Sequence, residues 1–261
     1  MNIHFLVLAR DSNFVNAKCE ELDNMKLSYT IICGEEFNHK NIIYREPKGK
    51  YDAINYGYKT IPKNTDIVAL NDVDTKIYNI NHAINVFQKY NVALLFSKVR
   101  VGSGPQKLFY KILDSLRRIL LIAASGELML IRHDFLKKIM PLKSCKSEDS
   151  YILFKVLELG GKVIFCEDTF VLTNRTSMTK EEEAYKRRTV GGIYQALSMS
   201  KPPFKVKLFY TILPLISPLL LVLGKKGYYW FRGIVKGYVD YLRGDRSGSW
   251  KSNYSVIGVS K

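Results

Sequence analysis

Short apolar runs recur along the first 200 residues, and a stretch of helical length follows nearly every one. Residues 3–8, 28–33, 41–44, 66–70, 92–96, 127–131 and 162–166 read as strands; 12–25, 50–60, 79–90, 105–122, 148–159 and 180–199 read as helices. This rhythm restricts the chain to an α/β fold on a mostly parallel, Rossmann-like sheet, whose ligands gather at the carboxyl ends of the strands. Chemistry is therefore to be sought in the residues that follow each strand. With 47% hydrophobic residues over 261 positions, the chain fills a substantial core and is not disordered as a whole. Cys19, Cys33, Cys145 and Cys166 form no CxxC pair, and His4, His39, His82 and His133 show no HExxH spacing, which argues against zinc chemistry.

One strand end stands out. In Ala69-Leu70-Asn71-Asp72-Val73-Asp74 an apolar strand runs directly into two carboxylates two positions apart. Hard divalent cations require such oxygen ligands, and a diphosphate requires the charge they bring. Upstream, Gly49-Lys50-Tyr51-Asp52-Ala53-Ile54-Asn55-Tyr56-Gly57 places Lys50 in the first turn of a helix, an arrangement that suits a phosphate. With no glycine five residues before Gly49 and no Ser or Thr after Lys50, it is not a P-loop. Ser147-Glu148-Asp149 opens a later helix, either as an N-cap with first-turn acids or as a general base set by that helix end. Arg187-Arg188 and Gly191-Gly192 lie on the last helix of this region, where paired arginines are either solvated or clamp a diphosphate. The helix at 105–122 carries Leu108, Phe109, Ile112, Leu113, Leu116, Ile119 and Leu120 on one stripe, with Lys107, Lys111, Asp114, Arg117 and Arg118 off it. Packing on a core is the first expectation for that stripe, and a seat on a membrane surface the second.

Taken in order, the glycine–lysine helix start, the DxD, the Ser-Gly before a strand, the Glu-Asp pair and the basic helix resemble the inverting GT-A glycosyltransferases of family 2 over about residues 1–200. The resemblance implies a GT-A fold, a nucleotide-sugar donor, a divalent metal (Mg²⁺ or Mn²⁺), and a saccharide or polyprenyl-linked acceptor. It assigns Asp72 and Asp74 to the metal and the nucleotide sugar, with Asp74 the first choice as direct ligand. Lys50, Asn55 and Arg188 fall to the donor, as do Ala9 and Arg10 in the loop after the first strand. Ser125 and Gly126 fall to the acceptor side, and Glu148 and Asp149 to catalysis, with Asp149 as base. The acidic pair that the family carries after its second strand is met here by Glu35, displaced by one residue. The QxxRW of membrane-bound members becomes Tyr185-Lys186-Arg187-Arg188-Thr189, which keeps the arginine and argues against a processive polymer synthase. Two other readings compete. A nucleotidyltransferase would show a glycine- and Lys/Arg-rich loop after the first strand, and a basic nucleic-acid module would interleave its charges with exposed aromatics.

The charge is unevenly spread. The chain carries 40 Lys and Arg against 24 Asp and Glu, net +16, and residues 201–261 alone hold 8 Lys and 3 Arg against 2 Asp. Composition changes at Lys201-Pro202-Pro203, the expected boundary between a catalytic unit at 1–200 and a helical membrane-association region at 201–261. The apolar stretch 208–224 is about 26 Å long as a straight helix, short for a hydrocarbon core of about 30 Å. Lysines flank both of its ends, so a segment that dips in and returns at the cytoplasmic face, bending at Pro214 and Pro218, fits better than a crossing. Beyond it, Trp230, Phe231, Ile234, Val235, Tyr238, Val239 and Leu242 oppose Arg232, Lys236, Asp240 and Arg243, which predicts an amphipathic helix lying in the plane of an anionic membrane. Because the excess charge flanks an apolar run, a nucleic-acid partner is disfavoured.

Overall fold

The computed structural model describes residues 1–102, 106–174 and 179–245. Pro105, the start of the helix expected at 105–122, and the basic residues Arg246, Lys251 and Lys261 lie outside the described residues. In chain order the elements are β1 (Ile3–Ala9), α1 (Val15–Asn24), β2 (Ser28–Cys33), β3 (Ile42–Tyr44), α2 (Lys50–Tyr58), β4 (Ile67–Asp72), β5 (Lys76–Tyr78), α3 (Ile80–Lys89) and β6 (Leu94–Val101). There follow α4 (Gln106–Leu120), β7 (Leu128–Arg132), α5 (His133–Ile139), α6 (Glu148–Glu158), β8 (Val163–Thr173), α7 (Thr179–Ser198), α8 (Phe204–Ile216), a 3-10 segment (Ser217–Leu223) and α9 (Gly224–Leu242).

The strands form one sheet in the order β3-β2-β1-β4-β7-β6-β8-β5. β1 runs parallel to β2 and β4, β2 to β3, and β6 to β8. The sheet is nevertheless mixed, because β7 is antiparallel to both β4 and β6, and β5 is antiparallel to β8. Alternate residues supply two cores. Leu6, Leu8, Val68, Leu70, Met129 and Ile131 face one side, and Phe5, Val7, Ala69, Leu128 and Leu130 face the other. Burial on both faces explains why these strands read as continuous apolar runs rather than as an alternation.

β6 and β8 run past the ends of their apolar runs. After an irregularity at Ser97/Lys98, Lys98–Val101 pair with Phe170–Thr173, and Val99 and Val101 point inward between the polar Lys98 and Arg100. β5 and α5 are too short for periodicity to show. The larger correction concerns α4, which is rotated from the expected orientation. Gln106, Tyr110, Asp114 and Arg117 are buried; of the expected stripe, Phe109, Leu113, Leu116 and Leu120 are half-buried against the core as expected, while Leu108, Ile112 and Ile119 face outward. The cause is Arg117, 2% exposed, whose guanidinium donates to the Ala123 carbonyl (2.9 Å), the Ala124 carbonyl (3.0 Å) and Asp114 (3.1 Å). A buried guanidinium tied to one carboxylate and two carbonyls has its charge and its donors satisfied.

The C-terminal helices pack back on the preceding region. α8 docks through Val206 and Tyr210, and the 3-10 segment through its first residue, Ser217; the Tyr210 hydroxyl donates to the Ile122 carbonyl (2.8 Å), and Tyr194 donates to the Tyr210 carbonyl (2.6 Å). The chain then reverses at Gly224, whose φ of 63° suits glycine. α9 lies against α7 along a seam of small residues. A Cβ on Gly233 would stand 2.6 Å from the Lys186 Cβ, and one on Gly237 would stand 2.5 Å from the Arg187 carbonyl oxygen. Trp230, fully buried, donates to Glu182 (2.9 Å), while Asp240 pairs with Arg187, and Arg232 and Lys236 pair with Glu183. Both faces of α9 read above as apolar and polar thus make contacts with α7, and Trp230 of the apolar face is buried in the protein rather than facing lipid.

The seam makes a signed prediction. Gly237→Ala raises helix propensity by about 1 kcal/mol, but its methyl meets backbone that cannot swing away, and overpacking of this kind costs about 1–3 kcal/mol. The variant is expected to melt several degrees below the parent in a thermal denaturation series.

Candidate active site

The site is built where β4 ends. Because β7 runs against β4, its start lies beside that end: Asn71 pairs with Leu128, the Asp72 amide donates to the Glu127 carbonyl (3.3 Å), and the Asn71 side chain donates to the same oxygen (2.6 Å). The Thr75 hydroxyl accepts from Asn71 (3.0 Å) and donates to the Asp72 carbonyl (2.8 Å), folding the Asp72–Asp74 turn back on itself. α2 begins nearby at Gly49, whose φ of 121° an L side chain rarely adopts.

Lys50, in the first turn of α2, closes the centre. Its ammonium lies 2.8 Å from Asp72 Oδ1 and 3.1 Å from Glu148 Oε1, and donates to the Gly126 carbonyl (3.3 Å). All three N–H donors thus find oxygen. Burial opposes the charge, but Asp72, Glu148 and Asp149 more than offset it and hold the ammonium well above the ordinary lysine value. Burial also pushes the Asp72 carboxyl up to about 7, with Asp74 and Glu127 adding to the rise and Lys50 opposing it.

Glu148 and Asp149 open α6. Ser147 occupies the N-cap position without a side-chain capping bond; its hydroxyl instead donates to Asp149 Oδ1 (2.7 Å), which also accepts from the Ser150 amide (2.6 Å). The other carboxylate oxygen looks toward Gly126, where a Cβ would stand 3.2 Å from Asp149 Oδ2 and 3.2 Å from Lys50 Nζ. Glycine at this position lets the Asp149 side chain and the Lys50 ammonium approach closely. Burial, then the neighbouring Glu148, raise the Asp149 carboxyl above its usual range.

Lys50, Asp72, Gly126, Glu148 and Asp149 are thus brought together. Others among the expected residues hold the frame. Asn55 spends both ends of its amide on Leu142, donating to its carbonyl (2.9 Å) and accepting from its amide (2.7 Å), so it clamps the loop that leads to Glu148 rather than reaching a donor. Ser125 is buried and donates to the Ser97 carbonyl, turned away from the acceptor side assigned to it. Ala9 ends β1, where its carbonyl accepts from the Gly34 amide (3.0 Å). A Cβ on Gly34 would stand 2.1 Å from the Arg10 carbonyl oxygen, so glycine there lets the two loops approach. Glu35 accepts from the Ser12 amide (3.0 Å) and hydroxyl (2.7 Å), which hold its carboxyl below the ordinary value and tie the loops after β1 and β2. Asp74 is exposed and borders a cavity of about 640 Å³ between α1 and the β4–β5 turn. Arg188 lies one helical turn before Gly192, on the α7 face that meets Ser147.

Two supports went without a role in the sequence, although Gly192 was noted there. Gln195 accepts from the Lys146 amide (2.9 Å) and donates to the Asp245 carbonyl (2.8 Å). Gly192 lets α7 lie on the Lys146–Ser147 backbone, 2.8 Å from where its Cβ would be. Both fix the approach to Glu148 through main-chain contacts, which residue types and spacing do not reveal.

The donor set suits a hard divalent cation. Asp72 and Asp74 offer oxygen ligands two positions apart at the end of β4, and Glu127 adds a further carboxylate charge beside Asp72. Among the described residues no three His, Cys, Asp or Glu side chains converge as a cage. Mg²⁺-type sites commonly use one or two carboxylates together with substrate phosphates, so the two aspartates fit.

No family model matches this sequence, and no curated protein matches it. Solved structures do. A mannosyltransferase from Pyrobaculum calidifontis, in complex with GDP-Man and Mn²⁺, superposes with a TM-score of 0.72 at 14% identity, over 94% of this chain and 88% of its own. GalNAc-T7, solved with UDP, GalNAc and Mn²⁺, gives 0.54 at 10% identity over 94% of this chain and 56% of its own. The fold is therefore GT-A-like, shared with glycosyltransferases.

The Asn55 clamp is testable. Asn55→Asp keeps the shape but sets a carboxylate against the Leu142 carbonyl, and leaving such a group unsatisfied costs about 1–3 kcal/mol. Its denaturant midpoint is expected to fall accordingly, with unchanged slope.

Proposed function

We propose that this protein is an inverting glycosyltransferase of family 2 type, moving a sugar from a nucleotide diphosphate to a hydroxyl of a saccharide or polyprenyl-linked acceptor. The observation that carries the reading is the convergence of Lys50, Asp72, Glu148 and Asp149 at the carboxyl edge of β4, with Asp149 Oδ2 beside Gly126. A candidate base and a cation thus stand together where this fold gathers its ligands. The two glycosyltransferases of similar fold, solved with nucleotides and Mn²⁺, support sugar transfer.

In this reading residues 1–200 form the catalytic unit. Asp74 and Asp72 hold a divalent metal, Mg²⁺ or Mn²⁺, which when bound supplies charge neutralisation for the diphosphate. Lys50 binds the same charge from the sugar side. Asp149, oriented by Ser147 and Ser150, takes the proton of the acceptor hydroxyl. The hydroxyl oxygen bonds to the anomeric carbon as the bond to the diphosphate oxygen breaks with its electron pair, on the opposite face, so configuration inverts. Arg188, on the α7 face beside Ser147, is placed for the donor's phosphates. The loop at residues 9–14 lacks the glycine- and Lys/Arg-rich character of a nucleotidyltransferase, which leaves that reading behind.

A panel of nucleotide sugars with Mg²⁺ or Mn²⁺, scored by nucleotide release and by the anomeric configuration of the product, tests this directly. Release from at least one donor with an inverted product is expected; no release from any donor, or retained configuration, overturns it. Asp149→Asn is expected to lose about 10²–10⁴-fold in transfer while remaining folded.

The pH profile carries a sign. The base must be ionised, so transfer falls as pH drops through the raised Asp149 value, above the usual carboxylate range. Glu148→Gln removes the neighbouring negative charge that contributes to this rise, and its acid limb is expected to move to lower pH. A limb that stays in place or moves up would remove Asp149 from the role.

A further inference from the structure

We propose that α4, α8 and the 3-10 segment together form a docking surface that lies in the plane of an anionic lipid bilayer. The first observation is that α8 carries two apolar stripes on opposite faces. Val206, Tyr210 and Ser217 are buried on the protein, and Leu213 is half-buried along the same line. Each lies two positions from Leu208, Ile212, Leu215 or Leu219 on the other side, about 200° around the helix, and these four are exposed. Leu215 is 78% exposed and Val222, in the 3-10 segment, 85%. The second observation is independent. The rotation of α4 turns Leu108, Ile112 and Ile119 outward, and Ile119 is 73% exposed. The two elements are tied on their buried side, where the Tyr210 hydroxyl of α8 donates to the Ile122 carbonyl just past the end of α4.

The charge distribution selects the occupant. Lys107 and Lys111 flank the α4 stripe, and Lys205, Lys207, Lys225 and Lys226 flank the α8 stripe, all exposed. The acid of α4, Asp114, is buried against Arg117, and α8 with the 3-10 segment has none. Protein–protein interfaces are depleted in lysine, whereas a bilayer accepts apolar side chains and lets lysine stems reach anionic headgroups, which in cells are concentrated on the cytoplasmic leaflet. By length and composition the helical stretch Phe204–Leu242 could cross a membrane, but a crossing is disfavoured because the opposite face of α8 is held by the protein through Val206 and Tyr210.

This inference stands apart from the proposed reaction, because its test needs no activity. The full chain is sedimented with vesicles of phosphatidylcholine alone, or of phosphatidylcholine and phosphatidylglycerol in equal parts. Binding at least about tenfold tighter to the anionic vesicles, weakening with added salt, is expected. The triple variant Leu208→Gln, Leu215→Gln, Leu219→Gln is expected to lose about tenfold or more of that binding while its thermal melt is unchanged, since these side chains make little of the core. Failure to bind either vesicle overturns the proposal, as does a triple variant that binds like the parent. A parent that is dimeric in solution and ignores vesicles, with a monomeric triple variant, assigns the stripe to a second copy and also overturns it.

Discussion

The ammonium of Lys50, suspended between Asp72 and Glu148, is the interaction on which the rest of the structure depends. It joins the start of α2, the end of β4 and the start of α6, three places that the chain reaches far apart in sequence. Burying any of these charges alone is prohibitive, and an ion pair of this kind persists only when its geometry and remaining hydrogen bonds are complete. Asp72, Asp74, Glu127, Glu148 and Asp149 bear on this centre, with Lys50 inside it and Lys18 acting on Asp72 and Asp74 from α1. Burial and carboxylate crowding together leave Asp72 and Asp149 with raised carboxyls.

The surrounding structure serves that centre mainly through backbone contacts. Asn55 holds Leu142, Gln195 holds Lys146, Arg117 holds Ala123 and Ala124, and Gly192 lets α7 lie against Ser147. None of these side chains needs to touch a substrate. They locate the loops from which Gly126, Glu148 and Asp149 project, and positioning of this kind is what separates a reactive pocket from a collection of charges.

The strands and the carboxylates at their ends were legible because burial on both faces writes itself as an apolar run, and the first polar residue after such a run is at the sheet edge. Lys50 and Asp149 were legible because each opens a helix. Asn55 was misread for a physical reason: an amide one turn into a helix looks the same whether it meets a ligand or a carbonyl across a loop. α4 was misread because periodicity assumes that charges face water, and Arg117 finds its partners inside. The glycines of α9 went unused because Gly233 and Gly237 matter only once another helix backbone lies against them. The course of β6 and β8 beyond residues 96 and 166 was hidden by charged residues that alternate with the buried valines.

The antiparallel insertion of β7 has a consequence in time as well as in space. β1 to β4 can pair among themselves as soon as they exist, but β7 must enter between β4 and β6, both made before it. α6 comes later still, and α7, which seats the loop before it, later again. During synthesis the N-terminal half therefore collapses around a strand edge that waits for its neighbour. The charged centre cannot assemble until the chain has passed α6, so the pocket is a late product of folding rather than a nucleus for it.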